Sequence, residues 1–227
     1  MMKILTTSDG SHTLQSERVD DTYHSTNGAI TEADIVYIKN GLHFCFENHS
    51  GTINLLEVGF GTGLNALLTA IEATKQKRKV VYYTLEPFPI PAEIASLLNY
   101  GNYALENDSL NIFSKIHKSL WEVPVDITPY FTLIKLMSTL EEIDFGCTQF
   151  HLVYFDAFGP DKQPEVWEEK LFKKISKQLI YKGILTTYST KGEVKRALKK
   201  NGFLIEKLAG PPGKREVLRA ILSTKEI

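Results

Sequence analysis

A glycine-rich turn between an apolar strand-like run and an apolar helix-like run is the feature that most constrains how this chain folds. The run INLLEV (53–58) has the composition of a buried strand, and LNALLTAIEAT (64–74) repeats apolar residues at helical spacing. The intervening GFGTG (59–63) carries three glycines. This order predicts one unit of a doubly wound α/β sheet, whose ligands bind at the carboxyl ends of the strands.

The alternation of strand-like and helix-like runs continues along the chain. Strand-like runs follow at 80–87, 131–136, 150–158, 183–189, 202–208 and 216–222, and helix-like runs lie between them at 90–100, 109–121 and 164–183. The last two strands are joined by AGPPGK, which is too short for a crossover helix, so they should form an antiparallel hairpin. We predict a Rossmann-like α/β sheet of seven strands that closes with this hairpin.

The first 42 residues stand outside this alternation. The run MKILTTSDGSHTLQSE (2–17) is typical of a β-hairpin that turns at Asp9 and Gly10. A chain of 227 residues holds one substantial core. We therefore predict a single domain over 1–227, with an N-terminal extension or lid at 1–42 and the core at 43–227.

Composition excludes several classes of protein. No run approaches the roughly 20 apolar residues that span a bilayer, and the start turns polar too soon for a signal peptide, so a soluble cytoplasmic protein is expected. Cys45 and Cys147 fit neither a disulfide framework nor a zinc spacing and are expected to be buried thiols. The six histidines form no metal spacing, so no metal is predicted. Tyr23 and His24 could border the ligand pocket, but we favour surface packing as their role.

The formal net charge of -1 conceals a basic segment. Residues 170–219 contain fourteen lysines and arginines but three acidic residues, a net charge of +11. Such a segment indicates a polyanionic partner such as RNA. Solvated helix faces are the alternative explanation.

The spacing of the glycines selects among nucleotide-like cofactors. The dinucleotide pattern G-x-G-x-x-G would need glycine where this chain has Leu64, and no P-loop lysine follows. Glu57 directly precedes the glycines and suits a cationic cofactor, although it could equally be a surface carboxylate. Glu86 ends the second strand, where a carboxylate can accept hydrogen bonds from a ribose diol. These residues together predict S-adenosylmethionine.

A carboxylate also follows the strand-like run at 150–158. Asp156 lies at the carboxyl edge of the predicted sheet, where it could orient an acceptor amine or take its proton through water. A turn or helix N-cap is the alternative role for Asp156. The aromatic residues Phe158, Trp167 and Tyr188 could stack on an unpaired base, but each could instead belong to the core.

These motifs resemble the methyltransferase half of the bifunctional MnmC enzymes. The resemblance covers nearly the whole chain and rests on DDTYHSTNGAITEADIVYIKNG, LLEVGFGTGLNAL, FDAFGPDKQPEVW, LTTYSTKGEVKRALKKNGF and GPPGKREVLRAIL. It implies a class I methyltransferase that moves a methyl group from S-adenosylmethionine to the primary amine of 5-aminomethyl-2-thiouridine. That nucleoside lies at the wobble position, in the anticodon loop of tRNA.

The resemblance also implies roles for particular residues. Those expected to line the cofactor are Glu57, Gly59, Phe60, Gly61, Gly63, Asn65, Glu86 and Asp156, with Asp156 also facing the amine as the catalytic residue. Those expected to contact the substrate or the RNA are Phe158, Trp167, Tyr188, Lys191, Lys195, Arg196, Lys214 and Arg215. Three features depart from the family pattern. Lys191 replaces a small residue, the Gly-Asp expected after the third strand is missing, and no oxidase half follows, so a separate protein is expected to supply any FAD-dependent oxidase activity.

Other functions remain open at this point. A polyamine aminopropyltransferase shares the predicted fold, but the basic segment would repel a cationic polyamine. A non-catalytic RNA-binding module with the same fold is a second alternative. A nicotinamide oxidoreductase is disfavoured by Leu64.

Overall fold

A small antiparallel sheet begins the fold. The computed structural model describes residues 2–16, 18–103 and 108–224. Its first three strands are β1 (Lys3–Thr6), β2 (His12–Ser16) and β3 (Asp21–Thr22). β1 and β2 pair across a turn at Asp9 and Gly10, where Gly10 has a φ of 84°. The predicted N-terminal hairpin is confirmed, and β3 extends it to three strands.

The main sheet has eight strands. In chain order they are β4 (Ile53–Val58), β5 (Val80–Leu85), β6 (Pro124–Thr128), β7 (Phe131–Leu136), β8 (Phe150–Phe155), β9 (Leu179–Thr187), β10 (Phe203–Ala209) and β11 (Glu216–Leu222). Their order across the sheet is β10-β11-β9-β8-β4-β5-β7-β6. The five central strands, β9, β8, β4, β5 and β7, run parallel. The chain passes from β4 to β5 and β7 on one side and then crosses to β8 on the other side of β4. The loops after β4 and β8 therefore flank a crevice.

Helices cover both faces of this sheet. One face carries the helical run 29–48, formed by α1 (Ala29–Ala33), a π-helical segment (Asp34–His43) and α2 (Phe44–Asn48), together with α3 (Leu64–Lys75), α4 (Ala92–Ala95), α5 (Tyr100–Tyr103) and α6 (Ser109–Lys118). The other face carries α7 (Glu169–Gln178) and α8 (Gly192–Lys200). Val36, Tyr37 and Leu42 of the π-helical segment are buried in the core. The boundary predicted at residue 42 therefore falls inside a core helix.

One strand of the main sheet lies outside the seven-strand prediction. β6 is an edge strand that pairs antiparallel with β7. Its sequence PVDIT begins with proline and offers the two apolar residues Val125 and Ile127, an alternation too short to mark a strand. The antiparallel β10–β11 hairpin is found as predicted.

Two predicted helices have different bounds in the structure. The run at 164–183 divides into a 3₁₀ turn (Pro164–Trp167), α7 and the start of β9 at Leu179. Leu179 is buried and pairs with Phe150 of β8. It was assigned to the helix because its spacing from the preceding apolar residues suits a helix face as well as the first inward residue of a strand. The run at 90–100 contains the single turn α4, and α5 begins only at its last residue, Tyr100.

The remaining expectations from composition concern membranes, metals and thiols. In the described part of the chain, no helix combines the length and the apolar character that crossing a bilayer requires. Within the same ranges, no group of three or more His, Cys, Asp or Glu side chains is arranged to hold a metal ion. Cys45 is buried as expected, but Cys147 is exposed, which corrects the prediction of two buried thiols.

Candidate active site

A cavity of about 720 Å³ opens at the carboxyl edge of the main sheet. Its wall contains the residue that follows each of four parallel strands: Gly59 after β4, Glu86 after β5, Asp156 after β8 and Tyr188 after β9. Residues 21–26, which precede α1, and Glu32 of α1 also line the cavity. The volume lies within the roughly 300–1,000 Å³ of small-molecule sites, and the position is the one expected for the ligands of a doubly wound sheet.

The loop after β4 can be built only with glycine at its key positions. Gly59, Gly61 and Gly63 have φ values of 97°, 50° and 75°, which side chains with a Cβ rarely adopt. A Cβ on Gly59 would lie 2.8 Å from the carbonyl oxygen of Asp156, and one on Gly61 would lie 2.9 Å from Cδ1 of Tyr23. Gly59 and Gly61 line the cavity, so the bare backbone can approach a ligand closely.

Two histidines contact Thr62 in this loop. His24 Nε2 lies 2.6 Å from Oγ1 of Thr62, and His117 Nε2 lies 3.1 Å from the Thr62 carbonyl oxygen. Burial lowers the pKa of both imidazoles to about 4, so both are neutral near pH 7. His24 and Tyr23 also line the cavity, so the alternative that they border the pocket is confirmed and the favoured role in surface packing is wrong.

Glu86 stands where a ribose-binding carboxylate was expected. Its Oε2 accepts a hydrogen bond from the Gly61 backbone N–H at 2.9 Å, and its Oε1 accepts one from that of Phe88 at 2.9 Å. Burial raises the pKa of this carboxyl. Each oxygen keeps a lone pair for a ligand hydroxyl. Residues 138–142, after β7, line the cavity next to it, at the place where the family's Gly-Asp is missing.

Four residues that were expected to line the cofactor lie behind the cavity wall. Glu57 is completely buried on the central strand β4, where its carboxylate accepts hydrogen bonds from Thr84 Oγ1 at 2.6 Å and Asn65 Nδ2 at 3.1 Å. Phe60 packs against His117, Gly63 is the N-cap of α3, and Asn65 lies in the first turn of that helix. Glu57, Phe60, Gly63 and Asn65 are thus buried next to the cavity and are not among the residues that line it, so their contact with the cofactor stays a prediction.

The buried position of Glu57 predicts a particular pH dependence of stability. Burial raises the pKa of this carboxyl to about 8, whereas an unfolded chain would have a value near 4.3. The folded state therefore retains a proton that the unfolded state releases, and this contribution to stability is lost as the pH rises from about 4.5 to about 8.

We expect Glu57→Gln to remove this pH dependence. Relative to the variant, the wild-type free energy of unfolding should fall by up to about 1.4 kcal/mol for each pH unit in this window. Urea unfolding at several pH values measures the difference. Glu47→Gln alters an exposed carboxyl on α2 and should leave the wild-type profile unchanged. A constant difference between wild type and Glu57→Gln from pH 5 to 8 would contradict the prediction.

Asp156 is held in place by two hydrogen bonds. Its Oδ1 accepts one from the Tyr37 hydroxyl at 2.5 Å, and its Oδ2 accepts one from Asn65 Nδ2 at 2.7 Å. Burial raises the pKa of the Asp156 carboxyl to about 7. A carboxylate with this pKa can accept a proton near neutral pH. Tyr37 was not identified from the sequence, because a tyrosine on a helix face carries no signal of its contact with the sheet edge.

A second carboxylate and a lysine share the cavity with Asp156. Glu32, from α1, is largely buried and accepts a hydrogen bond from the Ser25 backbone N–H at 3.0 Å. It forms an ion pair with Lys214 of the β10–β11 hairpin, and the Lys214 Nζ lies 4.1 Å from the centroid of the Tyr188 ring. Glu32 was not identified from the sequence, although it falls within the motif TEADIVY. Lys214, which was expected to contact the substrate or the RNA near the acceptor, lines the cavity.

The three candidate stacking residues have different surroundings. Phe158 and Tyr188 line the cavity, and the Phe158 ring meets Tyr23 edge to face with centroids 5.0 Å apart. Trp167 is buried between Phe155 and Phe172, and its indole N–H donates to the Phe158 carbonyl oxygen at 2.7 Å. The expectation that Trp167 stacks on a base is therefore wrong, since its ring belongs to the core and supports the loop that carries Phe158.

The other basic candidates lie outside the cavity. Lys191 pairs with Asp161 at the beginning of α8, Lys195 and Arg196 lie on that helix, and Arg215 is exposed in the β10–β11 hairpin. Several further members of the basic segment have acidic partners; these pairs are Lys170 with Glu141 and Glu168, Lys200 with Glu169, Lys207 with Glu216, and Arg219 with Glu206. Glu206 and Glu216 are already counted in the net charge of +11, so it is the acids outside residues 170–219, Glu141, Glu168, Glu169 and Asp161, that neutralise part of it.

Comparison with known proteins identifies the family. Residues 111–223, about half of the chain, match the model of a family described as S-adenosyl-L-methionine-dependent methyltransferase. The tRNA 5-methylaminomethyl-2-thiouridine biosynthesis bifunctional proteins MnmC of Burkholderia mallei and Burkholderia pseudomallei are each 28% identical over 219 residues, which cover 91% of this chain and 33% of each relative. The chain thus spans about a third of the length of these curated relatives.

Solved structures share the fold. MNMC2 from Aquifex aeolicus superimposes with a TM-score of 0.79 at 22% identity, over 99% of this chain and 71% of that one. The N-methyltransferase NodS from Bradyrhizobium japonicum WM9 matches with a TM-score of 0.50 at 13% identity, over 82% and 92% of the two chains. The predicted class I fold is confirmed. Together with the family match and the cavity at the switch point, it assigns this chain to the S-adenosyl-L-methionine-dependent methyltransferases.

Proposed function

We propose that this enzyme transfers a methyl group from S-adenosylmethionine to the primary amine of 5-aminomethyl-2-thiouridine at the wobble position of tRNA. The observation that carries the proposal is Asp156, a hydrogen-bonded carboxylate in the wall of the cavity beside a second carboxylate, Glu32. Two carboxylates are suited to bind a cationic amine. The names of the MnmC relatives, which refer to 5-methylaminomethyl-2-thiouridine in tRNA, support the same nucleoside. Because tRNA is the substrate, the proposal places the enzyme in the cytoplasm.

The cavity has features that fit the cofactor. Gly59 and Gly61 would allow close approach of the backbone, and Glu86 would accept hydrogen bonds from the ribose hydroxyls. Glu57 and Asn65 would act from behind the wall, since Asn65 bridges both Glu57 and Asp156. When bound, S-adenosylmethionine supplies a methyl group on its sulfonium sulfur. Loss of the methyl group converts this sulfonium into a neutral thioether.

Asp156 would prepare the acceptor amine. An alkyl ammonium has a pKa of about 10 in water and lacks a lone pair until it loses a proton. The raised pKa of Asp156, about 7 instead of 3.8, narrows the gap to the amine from about six units to about three. Asp156 would accept the proton directly or through water, and the freed lone pair would form the new C–N bond as the C–S bond breaks.

The basic residues outside the cavity, of which Arg196 and Arg215 are exposed and Lys195 is half-buried, would hold the anticodon loop. A wobble base in a single-stranded loop can unstack and enter a pocket, where Phe158 and Tyr188 offer aromatic faces. Arg215 of the hairpin and Lys195 and Arg196 of α8 would contact flanking phosphates.

We expect Arg215→Ala and Arg196→Ala each to weaken tRNA binding and to make it less dependent on salt. Each lost phosphate contact should lower the slope of log K against log salt by about 0.7–0.9. Filter binding between 50 and 200 mM salt measures this slope. Lys199→Ala, which removes an exposed lysine from the last turn of α8, should keep the wild-type slope. Wild-type binding that is insensitive to salt would exclude this surface as the RNA-binding site.

The proposal is tested by methyl transfer to tRNA. The protein is incubated with methyl-labelled S-adenosylmethionine and tRNA from cells that make the aminomethyl group but cannot methylate it, and label is expected in the tRNA. Fully modified tRNA is the matched control and should remain unlabelled. Cofactor binding without label in the unmethylated tRNA, or label in added spermidine instead, would contradict the proposal.

A further inference from the structure

The ion pair between Glu32 and Lys214 lies inside the cavity rather than on the protein surface. The Glu32 side chain is 9% exposed and that of Lys214 is 31% exposed, and both residues line the cavity with Asp156 and Tyr188. Lys214 comes from a hairpin whose neighbouring residues 212, 213 and 215 are exposed. A surface lysine has thus turned its ammonium group into the site.

The surroundings of the Lys214 ammonium are those that an acceptor amine needs. Glu32 supplies an anionic oxygen, and the face of the Tyr188 ring lies 4.1 Å away on another side. Carboxylates and aromatic faces are the groups that recognise a cationic nitrogen. Lys214 carries a primary alkyl ammonium, the same functional group as an aminomethyl acceptor. Its side chain therefore has the chemistry of the substrate in the place where the substrate would bind.

We propose that Glu32 and Tyr188 form the ammonium-binding subsite of the acceptor, and that Lys214 occupies this subsite until the acceptor displaces it. This inference rests on the proposed function in one respect, which is that the acceptor enters as a primary ammonium. The exchange replaces one cation at Glu32 with another, so the buried carboxylate is never left without a partner. The displaced Lys214 remains beside the exposed Arg215, where a phosphate of the RNA would bind it.

The Lys214 ammonium and the acceptor ammonium cannot occupy the subsite at the same time. Two ammonium groups at the distance of a shared carboxylate repel each other, and the enclosed cavity screens that repulsion less than water does. Lys214 should therefore compete with an acceptor that lacks phosphates. With tRNA, the same side chain gains a phosphate contact that offsets this competition. The two acceptors should respond to the loss of Lys214 in opposite directions.

The test compares binding of the nucleoside 5-aminomethyluridine with binding of aminomethylated tRNA. Isothermal titration at pH 7 in the presence of S-adenosylhomocysteine measures affinity without turnover. Lys214→Met should bind the nucleoside at least about tenfold more tightly than wild type and tRNA at least about tenfold more weakly. Glu32→Gln should weaken nucleoside binding about tenfold. The double variant Glu32→Gln with Lys214→Met should lack the tighter nucleoside binding of Lys214→Met. Lys199→Met, a matched loss of an exposed lysine, should leave nucleoside affinity unchanged.

The inference is overturned if Lys214→Met leaves nucleoside affinity unchanged or weakens it while the variant keeps the thermal unfolding midpoint of the wild type. If Lys214→Met is unfolded, Lys214→Gln provides the same comparison with a polar side chain. Failure of the proposed function has a different signature. In that case the wild type does not methylate tRNA, whereas the tighter nucleoside binding of Lys214→Met, which is read without turnover, persists.

Discussion

Methyl transfer by Asp156→Asn is expected to be about 10³-fold slower than that of the wild type, within the 10²–10⁴ that one positioned proton acceptor contributes. Asparagine keeps the size of the side chain and one oxygen for the Tyr37 hydroxyl but cannot accept a proton from the acceptor amine. Single-turnover rates with saturating cofactor and tRNA measure the effect. The Kd for S-adenosylmethionine should change by less than about fivefold, because Gly59, Gly61 and Glu86 remain in place.

Asp161→Asn is the matched control for this substitution. Asp161 follows the same strand five residues later, but its side chain is 79% exposed and pairs with Lys191. Its variant should retain the wild-type rate. A rate for Asp156→Asn within twofold of wild type would remove Asp156 from the mechanism.

The pH profile provides an independent readout of the same residue. Since burial raises the pKa of Asp156 to about 7, the carboxyl is protonated below that pH, and the wild-type rate should rise as the pH increases through about 7. The Tyr37 hydrogen bond opposes this rise in pKa by stabilising the charged form. Tyr37→Phe should therefore move the ascending limb to higher pH. Asp156→Asn should lack the limb altogether.

Gly59→Ala is expected to raise the Kd for S-adenosylmethionine by at least about 30-fold. Alanine at a φ of 97° costs about 1–2 kcal/mol of backbone strain, and its Cβ would meet the Asp156 carbonyl oxygen, which is backbone and cannot swing aside. The loop must shift to relieve the contact, and about 2 kcal/mol corresponds to the 30-fold change. Cofactor titration by calorimetry, with circular dichroism to verify folding, measures it.

A second glycine separates strain from contact. Gly51 has a φ of 77°, but no atom lies within 4 Å of its added Cβ. Gly51→Ala should therefore lower stability by a similar strain while leaving the cofactor Kd unchanged. If Gly59→Ala does not fold, Gly61→Ala is the alternative, since its Cβ meets the movable ring of Tyr23. Cofactor affinity equal to that of wild type in a folded Gly59→Ala variant would show that the loop does not hold the cofactor.

Features that depend on neighbouring residues in the chain were predictable from the sequence. The strand, glycine turn and helix around Gly59 combine local composition and spacing, and β4 and α3 have nearly the bounds predicted. Asp156 and Glu86 could be identified as candidate site residues because both directly follow parallel strands, whose carboxyl ends meet at one edge of the sheet. The β10–β11 hairpin followed from the short AGPPGK connection.

Features that depend on tertiary packing were not predictable in the same way. Glu57 looks like a cofactor ligand in the sequence, but β4 is covered on both sides by β5 and β8, and the side chain points toward Thr84 and Asn65. Trp167 carries no sign that its indole N–H reaches the Phe158 carbonyl oxygen. Glu32 meets Lys214, which lies 182 positions further along the chain. A single sequence holds no record of such contacts.

Identification of the methylated nucleoside tests the central claim most directly. After methyl transfer to tRNA that carries 5-aminomethyl-2-thiouridine, the tRNA is digested to nucleosides, which are separated and identified by mass spectrometry. The account predicts that the labelled methyl group is found on the amine nitrogen, as 5-methylaminomethyl-2-thiouridine, and that Asp156→Asn forms about 10³-fold less of it per unit time. Label on a ring atom, on a ribose or in another nucleoside would contradict the assignment of Asp156 and Glu32 to an acceptor amine.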